Sequence, residues 1–217
     1  MLIDTKSLIL LVIDFLMKLF GVNIHFRKVK RKVYCFFSNM PFVVKCKIHH
    51  VRCVIGNNSL LTGCAVKTKR KNGELFIGND CIIKNTVFNY YGVGGKIVIN
   101  NHVKINARSE AKTRLYVKNQ SSITIDDDCL LSNDIDISTT DWHSVIDKDG
   151  IKVNNEKDVY VGRHVWIGRK VIIGKGVSIN ENSVIGAGSI VTKPFAEHNV
   201  IIAGNPASVR KSNVNWK

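Results

Sequence analysis

An aliphatic residue recurs at every sixth position late in the chain: Val161, Ile167, Ile173, Ile179, Ile185 and Val191. The residues that follow them are Gly162, Gly168, Gly174, Asn180, Gly186 and Thr192, and four places after each of the first five stands a small or β-branched residue, namely Val165, Val171, Val177, Ser183 and Ser189. A helix repeats at 3.6 residues and a strand at 2, so neither produces a period of six. A six-residue unit is a short strand plus a corner, with the aliphatic column pointing inward. Three units close one triangular coil, and successive coils stack at the parallel-strand spacing of about 4.8 Å. Each coil buries its inward column only when another covers it, which is why such units come in runs. Glycine and asparagine accept positive φ more readily than other residues, so the column behind the aliphatic residue is where tight corners are expected.

The same phase returns upstream with breaks, at Ile55-Gly56, Leu61-Thr62, Ile77-Gly78, Ile83-Lys84, Ile99-Asn100, Ile105-Asn106, Ile125-Asp126, Leu131-Ser132 and Ile137-Ser138. Their small positions are Ser59, Ala65, Cys81, Val87, Val103, Ser109, Cys129 and Ile135, which makes Cys81 and Cys129 core residues rather than reactive thiols. The register slips by a few residues between blocks, so the early coils carry outward insertions. The longest late interruption, from about Thr139 to Asp158, is rich in Asp, Asn, Lys and Gly and reads as a protruding loop.

With 217 residues, of which 45% are hydrophobic, the chain suits one elongated domain. The expected division is an N-terminal segment over 1–50, a β-helix over 51–211 with its loop at 139–158, and a tail over 212–217. Six cysteines form no C-x-x-C pair and no secretory leader is evident, which favours reduced thiols in the cytoplasm. Neither the cysteines nor the seven histidines cluster at metal-ligand spacing, so no metal is expected. The formal charge of +15 predicts an anionic partner: nucleic acid, a membrane surface, an acidic glycan or cofactor phosphates. Leu8 to Phe20 is almost wholly apolar but interrupted by Asp14 and Lys18, too short to span a bilayer. It reads as an amphipathic helix, either packed on the domain or a neighbouring subunit, or anchored peripherally to a membrane with the basic stretch that follows.

Four motifs in order carry a family resemblance: Asp141-Trp142-His143-Ser144 in the loop, Val165-Trp166-Ile167-Gly168 on the next coil, Ile185-Gly186-Ala187-Gly188-Ser189-Ile190-Val191, and Ala203-Gly204-Asn205-Pro206-Ala207. Over about residues 50 to 211 the chain resembles the hexapeptide-repeat acyltransferases, in the branch of sugar and polysaccharide O-acetyltransferases. The resemblance implies an all-β, left-handed parallel β-helix, a homotrimer with acetyl-CoA in grooves between subunits, and a carbohydrate acceptor. Left-handedness comes from the resemblance, not from the period.

Acetyl transfer from a thioester to an alcohol requires removal of the hydroxyl proton, for which an imidazole is suited at neutral pH. His143 is the expected general base, its ring held by Asp141 or by a backbone carbonyl. The resemblance places Trp166 near the thioester or acceptor and makes the backbone N–H of Arg169, just after Gly168, the oxyanion donor. It puts the pantetheine chain against Gly168 and Ala187. Thr192, Lys193 and Arg210, with Lys211 in reserve, suit the CoA phosphates, and Asn205 shapes the loop that caps the nucleotide. Asn133, Asp134, Asp141 and Ser144 are candidate contacts to acceptor hydroxyls, and the basic surface would suit an acidic glycan. Three readings compete: an N-acetyltransferase on a nucleotide-linked amino sugar, a non-enzymatic anion-binding β-helix, and a carbonic-anhydrase-like β-helix. The last is disfavoured because His102, His143 and His164 lack a close-spaced histidine pair. Nucleic acid is not the expected partner.

Overall fold

A computed structural model of the chain describes residues 38–69 and 72–217. The amphipathic segment from Leu8 to Phe20 lies outside the described residues. Among the described residues, 38–48 form a helix, α1, and twenty strands run from Val51 to Lys211. The strands fall into three sheets that form the faces of a triangular prism. The first face is β1 (Val51–Ile55), β4 (Gly73–Ile77), β7 (Lys96–Ile99), β10 (Ser122–Ile125), β13 (Val159–Val161) and β16 (Ser178–Ile179). The second is β2 (Leu60–Thr62), β5 (Ile82–Lys84), β8 (Lys104–Asn106), β11 (Leu130–Leu131), β14 (Trp166–Ile167), β17 (Val184–Ile185), β19 (Ile201–Gly204) and β20 (Ala207–Lys211). The third is β3 (Ala65–Thr68), β6 (Thr86–Tyr91), β9 (Thr113–Lys118), β12 (Asp136–Ser138), β15 (Ile172–Ile173) and β18 (Ile190–Val191). All neighbours pair in parallel except β19 with β20, an antiparallel hairpin at the C-terminal end. The fold is an all-β, left-handed parallel β-helix, as expected.

Three inward ladders form the core. In register, Ile55, Ile77, Ile99, Ile125, Val161 and Ile179 stack along the first face. Leu61, Ile83, Ile105, Leu131, Ile167, Ile185 and Ile202 stack along the second. Val66, Phe88, Leu115, Ile137, Ile173 and Val191 stack along the third. Apart from Ile55, every member is buried. Along the first ladder the coil advances by 22, 22, 26, 36 and 18 residues, so only the last step is three bare hexads. The 36-residue step contains the loop between β12 and β13. Helix α1 covers the first coil: Asn39 donates to the Ser59 carbonyl and accepts from the Leu61 N–H, while Phe42 meets Phe88 edge-on.

Two expectations about the corners change. Ser109, expected inward, is exposed and bonds to Glu110, because the excursion between β8 and β9 delays the inward step to Thr113. The glycines behind the aliphatic residues do not supply the positive φ either. That conformation falls two places further on, at Asn58, Asp80, His102, Asp128, His164 and Asn182, all between 55° and 60°. Apart from Gly174, these glycines are required by close approach between coils. A Cβ on Gly56 would lie 2.6 Å from the backbone of Gly78, and one on Gly162 would lie 2.8 Å from the Ile179 carbonyl oxygen. At Gly174 the nearest atom would be 3.5 Å away, ordinary contact. Gly162→Ala should therefore lower stability by about 1–3 kcal/mol through overpacking against backbone, and Gly174→Ala should leave it nearly unchanged. Thermal unfolding of the two variants checks this, and equal melting points would contradict it.

Candidate active site

The prism has three edges, and the candidate residues divide among them. The edge between the second and third faces carries Asn133 and Asp134, then Gly168 and Arg169, then Ala187, and finally Asn205 in the β19–β20 turn. Successive coils are tied there, because Lys170 N–H donates to the Asn133 carbonyl and Gly188 N–H to the Arg169 carbonyl. The N–H groups of Arg169 and Ala187 have no acceptor among the described residues, so both are available to a ligand. Asp134 lies 3.7 Å from Arg114, which pairs more closely with Asp136 at 3.1 Å. Arg210 folds its guanidinium onto the Ala203 carbonyl, and the neighbouring Asn205-Pro206 peptide bond is cis. Lys211 is exposed at the end of β20.

The edge between the third and first faces carries the 139–158 loop with Asp141, His143 and Ser144, and two coils later Thr192 and Lys193. Within one protomer, the loop bearing His143 therefore springs from a different edge from Arg169 and Ala187. Trp166 stands on the second face, pointing outward and partly exposed. One chain does not bring His143, Trp166 and Arg169 to the same edge.

The loop folds as a small hairpin, with Ile146 bridged antiparallel to Lys152 and a turn built on the Asp147 carboxylate, which accepts from the N–H groups of Asp149 and Ile151. Little apolar burial holds it, since Val145, Ile146, Ile151 and Val153 are each more than half exposed. Polar contacts with the coils on either side fasten it instead. From β9, on the preceding coil, Lys118 donates to the Trp142 carbonyl at 3.2 Å and pairs with Glu156 at 3.3 Å. From the following coil, Lys175 pairs with Asp141 and donates to the Asn155 carbonyl. Trp142 takes a left-handed backbone with φ of 70°, rare for a bulky residue, and its ring stands edge-on to Tyr91 and Tyr116 at 5.0 Å from each.

These contacts set the loop's electrostatics. The Lys175 ammonium holds the Asp141 carboxyl below its ordinary value, with Asn154 adding a hydrogen bond. Burial pushes Glu156 up, but its own backbone N–H together with Lys152 and Lys118 outweighs that, and the carboxyl titrates at about 2. The carboxylate of Asp141 is thus occupied by Lys175 and Asn154, and the His143 ring has no hydrogen-bond partner among the described residues. Burial pushes the Cys129 thiol up to about 12, in keeping with its place in the core.

Residues 212–217 are more than a tail, because Trp216 packs back on the edge between the first and second faces, beside Trp166. Its indole stacks on His164 with centroids 4.3 Å apart and planes at 10°, its Nε1–H donates to the His164 carbonyl, and it lies 6.2 Å from Trp166. The available signal was a lone aromatic residue in an otherwise polar C-terminal stretch.

A three-sided parallel β-helix built from six-residue units defines the hexapeptide-repeat class of proteins. The family described as bacterial transferase hexapeptide (six repeats) matches residues 158–193. A curated polysialic acid O-acetyltransferase from Neisseria meningitidis is 34% identical over 117 residues, 51% of this chain and 49% of that protein. The match thus spans about half the length of that relative. Among solved structures, the polysialic acid O-acetyltransferase OatWY is 31% identical over 77% of this chain and 88% of its own, with a TM-score of 0.58. The polysialic-acid-specific acetyltransferase NeuO is 26% identical over 77% and 76%, with a TM-score of 0.56. The chain belongs to the hexapeptide-repeat, left-handed β-helix acetyltransferase family.

The fastening of the loop has a pH signature. Because Glu156 titrates at about 2 in the fold against an ordinary 4.5, its ionised form stabilises the protein fully above about 4.5, and that contribution is lost as pH falls towards 2. Wild type should lose more stability than Glu156→Gln across this window in a melting-temperature series. Parallel curves would show that the carboxylate is not held as described.

Proposed function

We propose that the protein transfers an acetyl group from acetyl-CoA to a hydroxyl of an acidic bacterial surface glycan or its sugar precursor, with His143 as general base. The observation that carries this reading is the loop itself: fastened by the coils before and after it, it presents an imidazole with no partner among the described residues. The similarity to polysialic acid O-acetyltransferases supports the reaction and the acceptor class. The net charge of +15 suits a polyanionic acceptor.

In the reaction, His143 takes the acceptor hydroxyl proton as the oxygen attacks the thioester carbonyl. The oxyanion that forms is met by the Arg169 N–H, which has no acceptor of its own among the described residues. Collapse breaks the C–S bond, and the protonated imidazole returns its proton to the CoA thiolate. Pantetheine lies along Gly168 and Ala187. Thr192, Lys193, Arg210 and Lys211 meet the phosphates, and Asn205 caps the nucleotide. Asn133, Asp134 and Ser144 contact the acceptor; Asp141 serves it less directly, being paired with Lys175.

Since His143 and Arg169 occupy different edges of one prism, this reading requires a second copy to bring the loop edge of one protomer against the donor edge of the next. A homotrimer closes three such sites. The first face offers a suitable contact, with Val54, Phe76, Val98, Thr124 and Tyr160 in outward register, of which Val54, Phe76 and Tyr160 are substantially exposed. No helix among the described residues is long and apolar enough to cross a membrane. We place the reaction in the cytoplasm; any peripheral membrane contact would fall to the N-terminal segment.

The test is a panel of polysialic acid, a uronic-acid polymer, a neutral oligosaccharide and an amino-sugar nucleotide, each with acetyl-CoA. We expect transfer to the acidic polymers, with His143→Ala reducing turnover by roughly 10² to 10⁴ and leaving CoA affinity intact. Preferred acetylation of the amine would favour the N-acetyltransferase reading. Full activity of His143→Ala would overturn the assignment.

A further inference from the structure

We infer that Asn154 is a positioning residue that sets the direction in which the His143 imidazole leaves the loop; this deepens, and rests on, the reading of His143 as general base. The Asn154 side chain spans the turn around the histidine. Its Nδ2 hydrogens donate to the His143 carbonyl at 2.8 Å and to Asp141 Oδ2 at 3.1 Å, and its Oδ1 accepts the Val145 N–H at 2.7 Å. On the other side, the His143 N–H donates to the Asp141 carbonyl at 2.8 Å. Both peptide groups flanking His143 are therefore held, the preceding one by Asp141 and the following one by Asn154, leaving only the side-chain torsions free.

The chemistry fits asparagine in particular. The position needs two donors and one acceptor on a short side chain, and each Asn154 hydrogen finds one acceptor. An aspartate there would lose both donors and set an anion against the Asp141 carboxylate and the His143 carbonyl. A leucine would keep the shape and lose all three bonds. Apolar burial cannot compensate, because Val145, Ile146, Ile151 and Val153 are exposed. Lys175 acts in the same direction from the next coil by holding Asp141, the carboxylate that Asn154 also grips. A misplacement of about 1 Å at a reacting group reduces rate on the order of 10²-fold, the scale on which a loosened turn should register.

The experiment compares full-length wild type, Asn154→Leu, Asn154→Asp, His143→Ala and, as a control on the exposed hairpin tip, Asp149→Ala. CoA release is followed with whichever acceptor of the panel the wild type turns over. Expected are a fall in kcat of about 10- to 100-fold for both Asn154 variants, an unchanged KM for acetyl-CoA, melting temperatures close to wild type, and full activity for Asp149→Ala. Retention of kcat within about twofold in Asn154→Asp, while His143→Ala is inactive, overturns the positioning role alone. A fall in kcat that tracks a lowered melting temperature also overturns it, in favour of a general role in loop stability. If His143→Ala is active, or if the wild type turns over no acceptor, the underlying reading fails and the inference falls with it.

Discussion

Everything in this protein depends on the closeness with which one coil lies on the next. The three aliphatic ladders are removed from water only because each coil is covered by another, and burial of this kind contributes roughly 25 cal/mol per Å² of apolar surface. Close stacking at the edges demands residues without a Cβ where backbones meet, and that demand falls on Gly56, Gly78, Gly162 and Gly168. The same stacking leaves corner amides either paired to the preceding coil, as at Gly188, or unpaired, as at Arg169 and Ala187. A packing constraint and a candidate oxyanion donor thus arise from one geometry.

A second device runs along the edge between the first and second faces. The backbone N–H of Asn57 donates to Asn79 Oδ1, that of Asn79 to Asn101 Oδ1, and that of Asn101 to Asp127 Oδ1. Each side chain satisfies the corner of the preceding coil, so the polar groups exposed by turning are paired in the direction of stacking. Short strands of two or three residues, too short to be stable alone, hold together in this context.

The late coils were legible because nothing interrupts their hexads: Val161 through Val191 alternate among the three faces as the period requires. The third-face positions of the early coils, Val66, Phe88 and Leu115, escaped notice because insertions displace them from the phase. The corner glycines serve space rather than torsion, which the chain alone does not reveal. Sequence shows that glycine recurs, but not whether it is needed for torsion or for space, and the answer depends on the neighbouring coil. His143 and the donor-edge motifs stood out in the chain, whereas their division between two edges follows only from which face each strand joins. Asn154 and Trp216 carried no motif. Their importance lies in hydrogen bonds and ring contacts across 11 and 52 residues of chain.

The loop that bears His143 is bolted through Lys118 to the turn of the helix beneath it and through Lys175 to the turn above. The direction of the His143 side chain is therefore a property of two neighbouring coils together, since a local opening of either would release one of the loop's two anchors while the aliphatic ladders stay stacked.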